Sequence, residues 1–578
     1  MLRDSVTSSQ GYPPSTNPEK SDRKKERNRK YLHKLLIGPM PQIQESATLP
    51  EPGTSGSSMQ SLGPESASQA WYSDDDLAID LSGGLTDWVS VFPLVGDMIR
   101  AAGGILHRRK GMSQDQFENS AMELVTTHDY ISREQVAKLT RIDRVSGNSL
   151  TPFMNGGPVG EHWDTAPNGF FDHISKAKET IIGVELGFKA DDYGLEVSSR
   201  LIAKKKANPE VSMTVLIDGF VSVVMQKPSA DLEQNTLDMV LEMRKAGIDV
   251  RLNDSGNPLS SDFFAANHIK LWIFDGESAF FGGIGIESQF RSTLYDEMDL
   301  VEGPFVVVLN MVALLLLANQ RSPLVDNKGV QEINRYPRER LVSLFAKKQP
   351  TSGKVTMQLK MNVPGYVQDA RREYAGLLYD DRLDEVYILV PYFSDEKIAR
   401  ALVRAAERLA RRAKGTGADA KRIHVIFPAK QENRIIADIS KYYAYRLRNN
   451  PVVDSRQLQG QIGDVAFNML HAKQMLVVLK DPARNWTKYV KYGGSYNPAG
   501  KGQHMWELNA TSWQGDWEAS DEGDNPPSSN PLKDYLDDVM KVAVDRYSVP
   551  FPWGEANFKI SLLERAKLAF AEAFWFLT

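Results

Sequence analysis

The hydrophobic pattern of this chain alternates between short apolar runs and longer segments with apolar residues at helical spacing. Such runs predict buried strands, and such segments predict helices. The first pass of the pattern comprises 170–178 (helix), 180–188 (strand), 194–206 (helix) and 211–217 (strand). The second pass comprises 369–379 (helix), 385–390 (strand), 396–414 (helix) and 422–427 (strand). Strands that alternate with helices predict an α/β architecture with helices on both faces of a sheet.

Two His-x-Lys tripeptides introduce a later strand in each pass. His268-Ile269-Lys270 leads into an apolar strand and then Gly282-Gly283, and His471-Ala472-Lys473 leads into another and then Gly493-Gly494. Alternation along a strand places each histidine and its lysine on the same face. The two histidines lie 203 positions apart (471 − 268). This spacing suits a duplicated domain, whose pseudo-two-fold symmetry would bring both tripeptides to one interface.

Shifts in composition predict five segments. Residues 1–75 form a Ser- and Pro-rich basic arm without a fold of its own, and 76–145 a helical N-terminal region. The two lobes are expected at 146–345 and 346–525, followed by a helical tail at 526–578. The basic stretch 20–34 is either a solvated tail or a contact for anionic lipid. The amphipathic segment 85–109 either packs on the main body or lies in a membrane interface.

The most apolar run of the chain is Phe305 to Ala318. It is too short to cross a bilayer, so it predicts a buried helix. The first ten residues are polar and do not resemble a secretory signal. These features predict a cytoplasmic or peripheral membrane protein, and leave a secreted effector open.

Composition excludes several kinds of chemistry. The 578 residues include no cysteine, so disulfides, thiolate catalysis and cysteine-bound zinc are ruled out. Acidic residues outnumber basic ones by 74 to 69, for a net charge of -5. The chain as a whole therefore has no positive field for nucleic acid, which makes a nucleic-acid partner unexpected but leaves a local basic groove open.

Two histidines and two lysines around one cavity suit phosphodiester cleavage by double displacement. One histidine attacks phosphorus, and the other protonates the leaving oxygen and then activates water or an alcohol. Lysine ammonium groups stabilise the phosphate charge, so the scheme needs neither metal nor cofactor. We expect His268 to be the nucleophile and His471 the general acid and base, with the reverse assignment open.

The residues that carry this pattern resemble a known family. The string His268-x-Lys270-x4-Asp275-x6-Gly282-Gly283, followed by His471-x-Lys473 and Gly494-Ser495-Tyr496-Asn497, is similar to the duplicated HxK(x4)D(x6)G(G/S) motif of the phospholipase D superfamily. The resemblance spans roughly residues 145 to 515 and is closest in pattern to bacterial cardiolipin synthases. It implies two pseudo-symmetric lobes, each a β-sheet flanked by helices on both faces, with the active site at the lobe interface.

The resemblance also implies roles for particular residues. The implied catalytic residues are His268, Lys270, Asp275, His471, Lys473, Asn497 and Glu507. The implied substrate-binding residues are Gly283, Ser495 and Asp299. Glu507 and Asp299 stand where family carboxylates orient a histidine, with Glu287 as a weaker candidate.

The two motifs are unequal. Gly285 stands where the family usually has asparagine, so the first half lacks an amide that Asn497 provides in the second. The second half has Val478 at the position that matches Asp275, and Asp481 is the nearest carboxylate. The two histidines therefore need not share one role.

These observations predict a phospholipase D-type phosphodiesterase or phosphatidyltransferase. Its partners would be a phospholipid, a membrane surface and a water or alcohol acceptor, and its oligomeric state is left open. The alternatives are a nuclease of the same superfamily and a catalytically inactive membrane-binding protein.

Overall fold

The computed structural model describes the central part of the chain and selected residues around it. The described residues are 111–127, 131–155, 162–219, 222, 236–253, 266–319, 353–416, 421–428, 440, 444, 447–459, 461–462, 465–466, 469–483, 486–499, 505–514 and 530–551. They fall within one compact unit, Tyr72–Thr578. The predicted arm 1–75, the amphipathic segment 85–109 and most of the predicted tail lie outside the described residues. The predicted domain boundaries stay predictions.

The first half of the described chain contributes seven helices and seven strands, and these strands form a mixed parallel and antiparallel part of the sheet. Its helices are α1 (Gln114–Thr127), α2 (Arg133–Leu139), α3 (Phe170–Lys176), α4 (Asp192–Ala207), α5 (Thr236–Lys245), α6 (Ser288–Ser292) and α7 (Phe305–Ala318). Its strands are β1 (Val145–Asn155), β2 (Thr180–Glu185), β3 (Ser212–Asp218), β4 (Asp249–Asn253), β5 (Leu271–Phe274), β6 (Ser278–Gly282) and β7 (Leu294–Glu302). They pair in the order β4-β3-β2-β5-β6-β7-β1, with β2, β3 and β4 parallel and every later neighbour antiparallel.

The second half repeats this order of strand directions. Its helices are α8 (Asp369–Tyr379), α9 (Glu396–Thr416), α10 (Pro531–Tyr535), a π-helical turn (Leu536–Met540) and α11 (Lys541–Asp545). Its strands are β8 (Val355–Val363), β9 (Val367–Gln368), β10 (Leu383–Leu389), β11 (Ile423–Phe427), β12 (Val453–Leu458), β13 (Gln461–Ile462), β14 (Val465–Ala466), β15 (Met469–Leu470), β16 (Gln474–Asp481), β17 (Trp486–Gly494), β18 (Glu507–Gln514) and β19 (Ser548–Pro550).

In this half β10, β11 and β12 are parallel, and β16, β17, β18 and β8 follow β10 as antiparallel neighbours. Antiparallel pairing of β1 with β8 joins the two halves into one 17-stranded sheet. The mixed α/β class predicted from the sequence is confirmed. The repeated order also sets β5 and β16, which follow the two His-x-Lys tripeptides, at corresponding places in the two halves.

Helix α7 is buried, as its apolar sequence, interrupted only by Asn310, predicts. Every residue from Phe305 to Leu317 is buried, including Asn310, and the helix packs against α1 and against strands β5 and β7. A helix that is apolar on all sides has no face suited to water, so it is stable only inside the core. Within the described ranges, we find no helix whose length and hydropathy would let it span a bilayer.

A buried ion cluster of Lys491, Glu297 and Asp299, here called the seam cluster, connects the two halves of the chain. The Nζ of Lys491 on β17 lies 2.5 Å from Oε1 of Glu297 and 2.5 Å from Oδ1 of Asp299, both on β7. The hydroxyl of Tyr535 in α10 donates to Oε2 of Glu297 at 2.5 Å. Burial raises the pKa of Glu297 to about 8. Glu297 therefore holds a proton at neutral pH, and the single ammonium group of Lys491 contacts two carboxyl groups at this seam.

Removal of this lysine should destabilise the fold. In Lys491→Met, two buried carboxyl groups lose their cation, and we expect the free energy of unfolding to fall by about 3 to 5 kcal/mol. The measurement is guanidinium chloride denaturation followed by circular dichroism. The control is Lys480→Met, which removes a half-exposed lysine that pairs with Asp384 at the surface. Its expected loss is at most about 1 kcal/mol, and equal losses in the two variants would contradict the prediction.

Candidate active site

The first histidine is held by the second half of the chain. Just before β5, Asn267 forms a parallel bridge with Trp506, and the backbone N–H of His268 donates to the carbonyl of Trp506 at 3.0 Å. This pairing brings the imidazole to the start of β18, where its Nδ1 lies 2.9 Å from Oε2 of Glu507. Glu507 is fully buried. The first imidazole therefore takes its orientation from a carboxyl group that lies 239 residues further along the chain.

The second histidine is held by the first half in the same way. Strand β15 pairs in parallel with the start of β7, and the backbone N–H of His471 donates to the carbonyl of Tyr295 at 2.8 Å. The Nδ1 of His471 then lies 2.6 Å from Oδ2 of Asp296, which is fully buried. The two histidine–carboxyl pairs are thus crossed, since each half of the chain orients the imidazole of the other.

Strand register makes Asp296 the counterpart of Glu507. The N–H of Gly283 donates to the carbonyl of Glu297, and the N–H of Ser495 donates to the carbonyl of Leu508. The residue that precedes each of these accepting carbonyls, Asp296 or Glu507, carries the carboxyl group that contacts a histidine. Sequence matching selected Asp299 because a leucine follows it, as one follows Glu507. Sequence separation from the glycine turn would have identified the correct carboxyl groups. Asp296 follows Gly283 by 13 residues (296 − 283), and Glu507 follows Ser495 by 12 (507 − 495).

Both lysines of the motifs are buried and fold back onto the preceding backbone. The Nζ of Lys270 donates to the carbonyl of His268 at 2.7 Å, and the Nζ of Lys473 donates to the carbonyl of His471 at 2.6 Å. Burial lowers the pKa of Lys270, and it lowers the pKa of Lys473 to about 7. Lys270 also acts electrostatically on His471 and Lys473. The two motifs therefore lie within electrostatic reach of each other.

The two histidine–carboxyl pairs hold their protons differently. Burial and the nearby Lys473 ammonium lower the pKa of His471 to about 4. Although burial alone would raise the pKa of Asp296, Lys473 and His471 lower it. Burial raises the pKa of Glu507 to about 8. At neutral pH, Asp296 is therefore a carboxylate beside a neutral imidazole, whereas Glu507 retains a proton that it can share with His268.

Ser495 and Gly283 lie beside these pairs. The hydroxyl of Ser495 donates to Oε2 of Glu507 at 2.5 Å. A side chain at Gly283 would place its Cβ 2.2 Å from Oδ1 of Asp296, so only glycine fits beside that carboxylate. Within the described ranges, Oδ1 of Asn497 is buried without a hydrogen-bond donor. It is thus available to a ligand at the second glycine turn.

Asp299 lies away from the histidines. Its carboxylate pairs with Lys491 in the seam cluster. The carboxyl group of the first half that contacts a histidine is that of Asp296, which lies against His471. Because side chains alternate along β7, Asp296 and Asp299 point to opposite faces of the strand. Glu287, the weaker candidate, pairs with Lys189 at 2.5 Å.

Asp275 also contacts backbone rather than the histidines. It accepts hydrogen bonds from the backbone N–H groups of Lys178, Glu179 and Thr180, at 2.7 to 3.1 Å. Its own φ of 52° lies in the left-handed region. The aspartate thus ties the β5–β6 turn to the start of β2. Its counterpart position, Val478, is a buried apolar residue on β16, so the second half lacks this tie.

Sequence reasoning missed two further residues near the site. Phe290 of α6 packs its ring edge-to-face on the imidazole of His471, with centroids 4.9 Å apart. Glu185, at the end of β2, is fully buried and accepts from the indole N–H of Trp272 at 2.6 Å. In the ranges that the structure describes, no group of three or more His, Asp or Glu side chains has metal-binding geometry.

Comparisons with known proteins identify no family for this chain. No protein-family model and no curated protein match the sequence. The chain is similar to the crystal structure of phosphatidylserine synthase from Haemophilus influenzae Rd KW20, with 15% identity, a TM-score of 0.45, and coverage of 70% of this chain and 90% of that one. It is also similar to polyphosphate kinase from Porphyromonas gingivalis, with 11% identity, a TM-score of 0.37, and coverage of 74% and 56%. At these values neither similarity carries an argument about function.

The contacts of Asp275 predict a structural effect on substitution. Asp275→Ala removes the acceptor of several backbone N–H groups, and we expect a loss of about 2 to 3 kcal/mol in the free energy of unfolding. Asp275→Asn keeps one side-chain acceptor and tolerates the positive φ, so its loss should be smaller. Thermal and guanidinium denaturation measure both. If both variants unfold like the wild type, the carboxylate does not hold this turn.

Proposed function

We propose that this protein is a phospholipase D-like phosphodiesterase or phosphatidyltransferase. It would cleave a phospholipid phosphodiester through a phosphohistidine that water or an alcohol resolves. One observation carries the proposal: the two crossed histidine–carboxyl pairs, each beside a buried lysine. Two oriented imidazoles and two cations are the groups that a metal-free double displacement at phosphorus requires. The resemblance of the His-x-Lys motifs to the phospholipase D superfamily points to the same chemistry.

We assign the nucleophile to His471, the reverse of the assignment favoured by the sequence. A nucleophile must have a free lone pair, and its partner must bring a proton for the leaving group. The carboxylate of Asp296 accepts a hydrogen bond from Nδ1–H of His471, which leaves a lone pair on Nε2. The proton shared by Glu507 and His268 makes that pair the acid. Two pairs whose environments separate their pKa values are typical of sites that combine an acid with a base.

The proposed reaction has two displacements. Nε2 of His471 attacks phosphorus and forms a P–N bond, while the P–O bond to the leaving alcohol breaks and that oxygen takes the proton from His268. His268, now a base, removes a proton from water or an acceptor alcohol. The new oxygen attacks phosphorus, the P–N bond breaks, and His471 is regenerated. Lys270 and Lys473 stabilise the negative phosphate oxygens in both steps.

A lipid substrate is favoured over nucleic acid by charge. The chain is net acidic, and salt-dependent binding to a polyanion requires several cationic contacts. The sequence resemblance to cardiolipin synthases favours transfer to a glycerol-type alcohol over hydrolysis. We therefore propose a peripheral contact with a phospholipid surface as the setting of the reaction.

A lipid panel tests the function and its alternatives. We expect purified protein to release headgroup from at least one of phosphatidylcholine, phosphatidylethanolamine and phosphatidylglycerol vesicles, giving phosphatidic acid or, with added glycerol, an exchanged lipid. His268→Ala and His471→Ala should each lower the rate by about 10³-fold or more, because each removes a reacting group. Chromatography of the lipid products provides the measurement. Single-stranded DNA in a parallel reaction tests the nuclease alternative.

His424 provides the control. It contacts two carboxylates, Glu385 and Asp454, and stacks on Tyr387, but belongs to β11 rather than to either motif. His424→Gln should keep the wild-type rate in the lipid panel. If wild type releases no headgroup, or if both motif variants match it, the enzyme proposal fails and a membrane-binding protein is the better description.

The unequal pairs predict a bell-shaped pH profile of kcat/KM. Activity should rise as the pH increases through about 4, since His471 must lose its proton to attack phosphorus. It should fall as the pH increases through about 7 to 8, since Lys473 then loses the charge that stabilises the phosphate and Glu507 loses the proton that it shares with His268. In Glu507→Gln, whose amide does not titrate, the step near 8 should disappear and only the loss near 7 that belongs to Lys473 should remain. A single limb near the ordinary histidine pKa would contradict the assignment.

A further inference from the structure

The two glycine turns carry different residues at equivalent positions, and one of these is position 285 of the first turn, where the second has Asn497. Gly283 matches Ser495 by its hydrogen bond across the strand, so Gly285 matches Asn497 two residues later. The second turn thus presents an amide where the first has no side chain. The backbone beside Gly285 is held in place, because Ile286 donates to the carbonyl of Gly187 at 2.9 Å. The missing side chain therefore leaves a defined volume.

An aromatic ring fills that volume. A Cβ at Gly285 would lie 3.1 Å from Cε2 and 3.5 Å from Cδ2 of Phe290, so a side chain there requires the ring to shift. The ring is 6% exposed and meets the imidazole of His471 edge-to-face, at a centroid distance of 4.9 Å and an interplanar angle of 84°. Helix α6 carries it, and the N-cap residue of this helix, Glu287, pairs with Lys189.

We propose that Phe290 is the positioning residue of His471, and that its ring replaces the asparagine that the first turn lacks. An edge-to-face contact restricts rotation of the imidazole and provides no hydrogen bond that would compete for Nε2. The ring also excludes water from one side of His471. The polar groups that act on this imidazole are then Asp296, Lys473 and Lys270. The catalytic part of this proposal rests on the proposed function.

Because position 285 and the ring of Phe290 share one volume, the single variants and the double variant are expected to differ in kcat. Phe290→Ala leaves His471 free to tilt, and we expect kcat for headgroup release to fall by about 10- to 100-fold with little change in KM. Gly285→Asn should lower kcat similarly, because its side chain displaces the ring. The double variant Gly285→Asn with Phe290→Ala should have a higher kcat than either single variant, since the asparagine amide then has room. Two residues that share one space are expected to be non-additive.

The acid limb of the pH profile separates positioning from simple packing. Phe290→Ala admits water to His471, which should raise its pKa from about 4 toward its ordinary value of 6.5 and move the acid limb to higher pH. Phe171→Ala is the matched control, because Phe171 is 8% exposed and belongs to the same core, where its ring packs on Phe170 and Tyr193. It should lose stability without moving the limb. Thermal denaturation of each variant accompanies the kinetics.

A measurement that needs no substrate distinguishes this proposal from the proposed function. Diethyl pyrocarbonate modifies accessible neutral imidazoles, and peptide mass spectrometry reports the rate at His471. Phe290→Ala should increase that rate severalfold, and Phe171→Ala should leave it unchanged. If the wild type turns over no lipid but Phe290→Ala still increases the modification rate, the proposed function is wrong, while the shielding of His471 by Phe290 is supported. Additive losses in the double variant, an unmoved acid limb, or an unchanged modification rate would each overturn the positioning role.

Discussion

The site depends on one constraint: each imidazole is held by a carboxyl group from the other half of the chain. Glu507 lies against His268, and Asp296 lies against His471. Neither half can therefore build an oriented histidine by itself. The relative placement of β7 and β18 must be correct within hydrogen-bonding distance, because these interactions weaken steeply with distance and angle. The rest of the structure can be understood as the means by which this placement is kept.

Burial makes that placement demanding. Asp296, Glu507, Lys270 and Lys473 are all nearly inaccessible to water, and an uncompensated charge there would cost several kcal/mol. The same holds for the seam cluster of Lys491 with Glu297 and Asp299, which lies on the opposite face of β7 from Asp296. Since ionic pairs in a core require defined geometry, this cluster also favours one register between β7 and β17. Charge balance and strand register thus support each other across the seam.

The two halves share a strand order but not a chemistry. One carboxyl group is stabilised as an anion by Lys473 and His471, while the other retains its proton because burial outweighs the effects of Ser495 and the two lysines on its pKa. The first turn has glycine at position 285 and the ring of Phe290, whereas the second has Asn497. Each difference is a difference in local polarity. A duplicated framework can therefore place its two histidines beside carboxyl groups in different protonation states, as the proposed reaction requires.

The sequence by itself determined the α/β class, the buried helix from Phe305 to Ala318 and the two motifs, because periodicity and apolar length are local properties. It did not determine which carboxyl group meets which histidine. Asp299 matched by its neighbouring leucine, but alternation along β7 turns it toward Lys491 and turns Asp296 toward His471. Asp275, a motif residue, holds the backbone of residues 178–180. Only the tertiary structure decided these partners, since strand register and the crossing of the two halves bring together residues that are far apart in the chain.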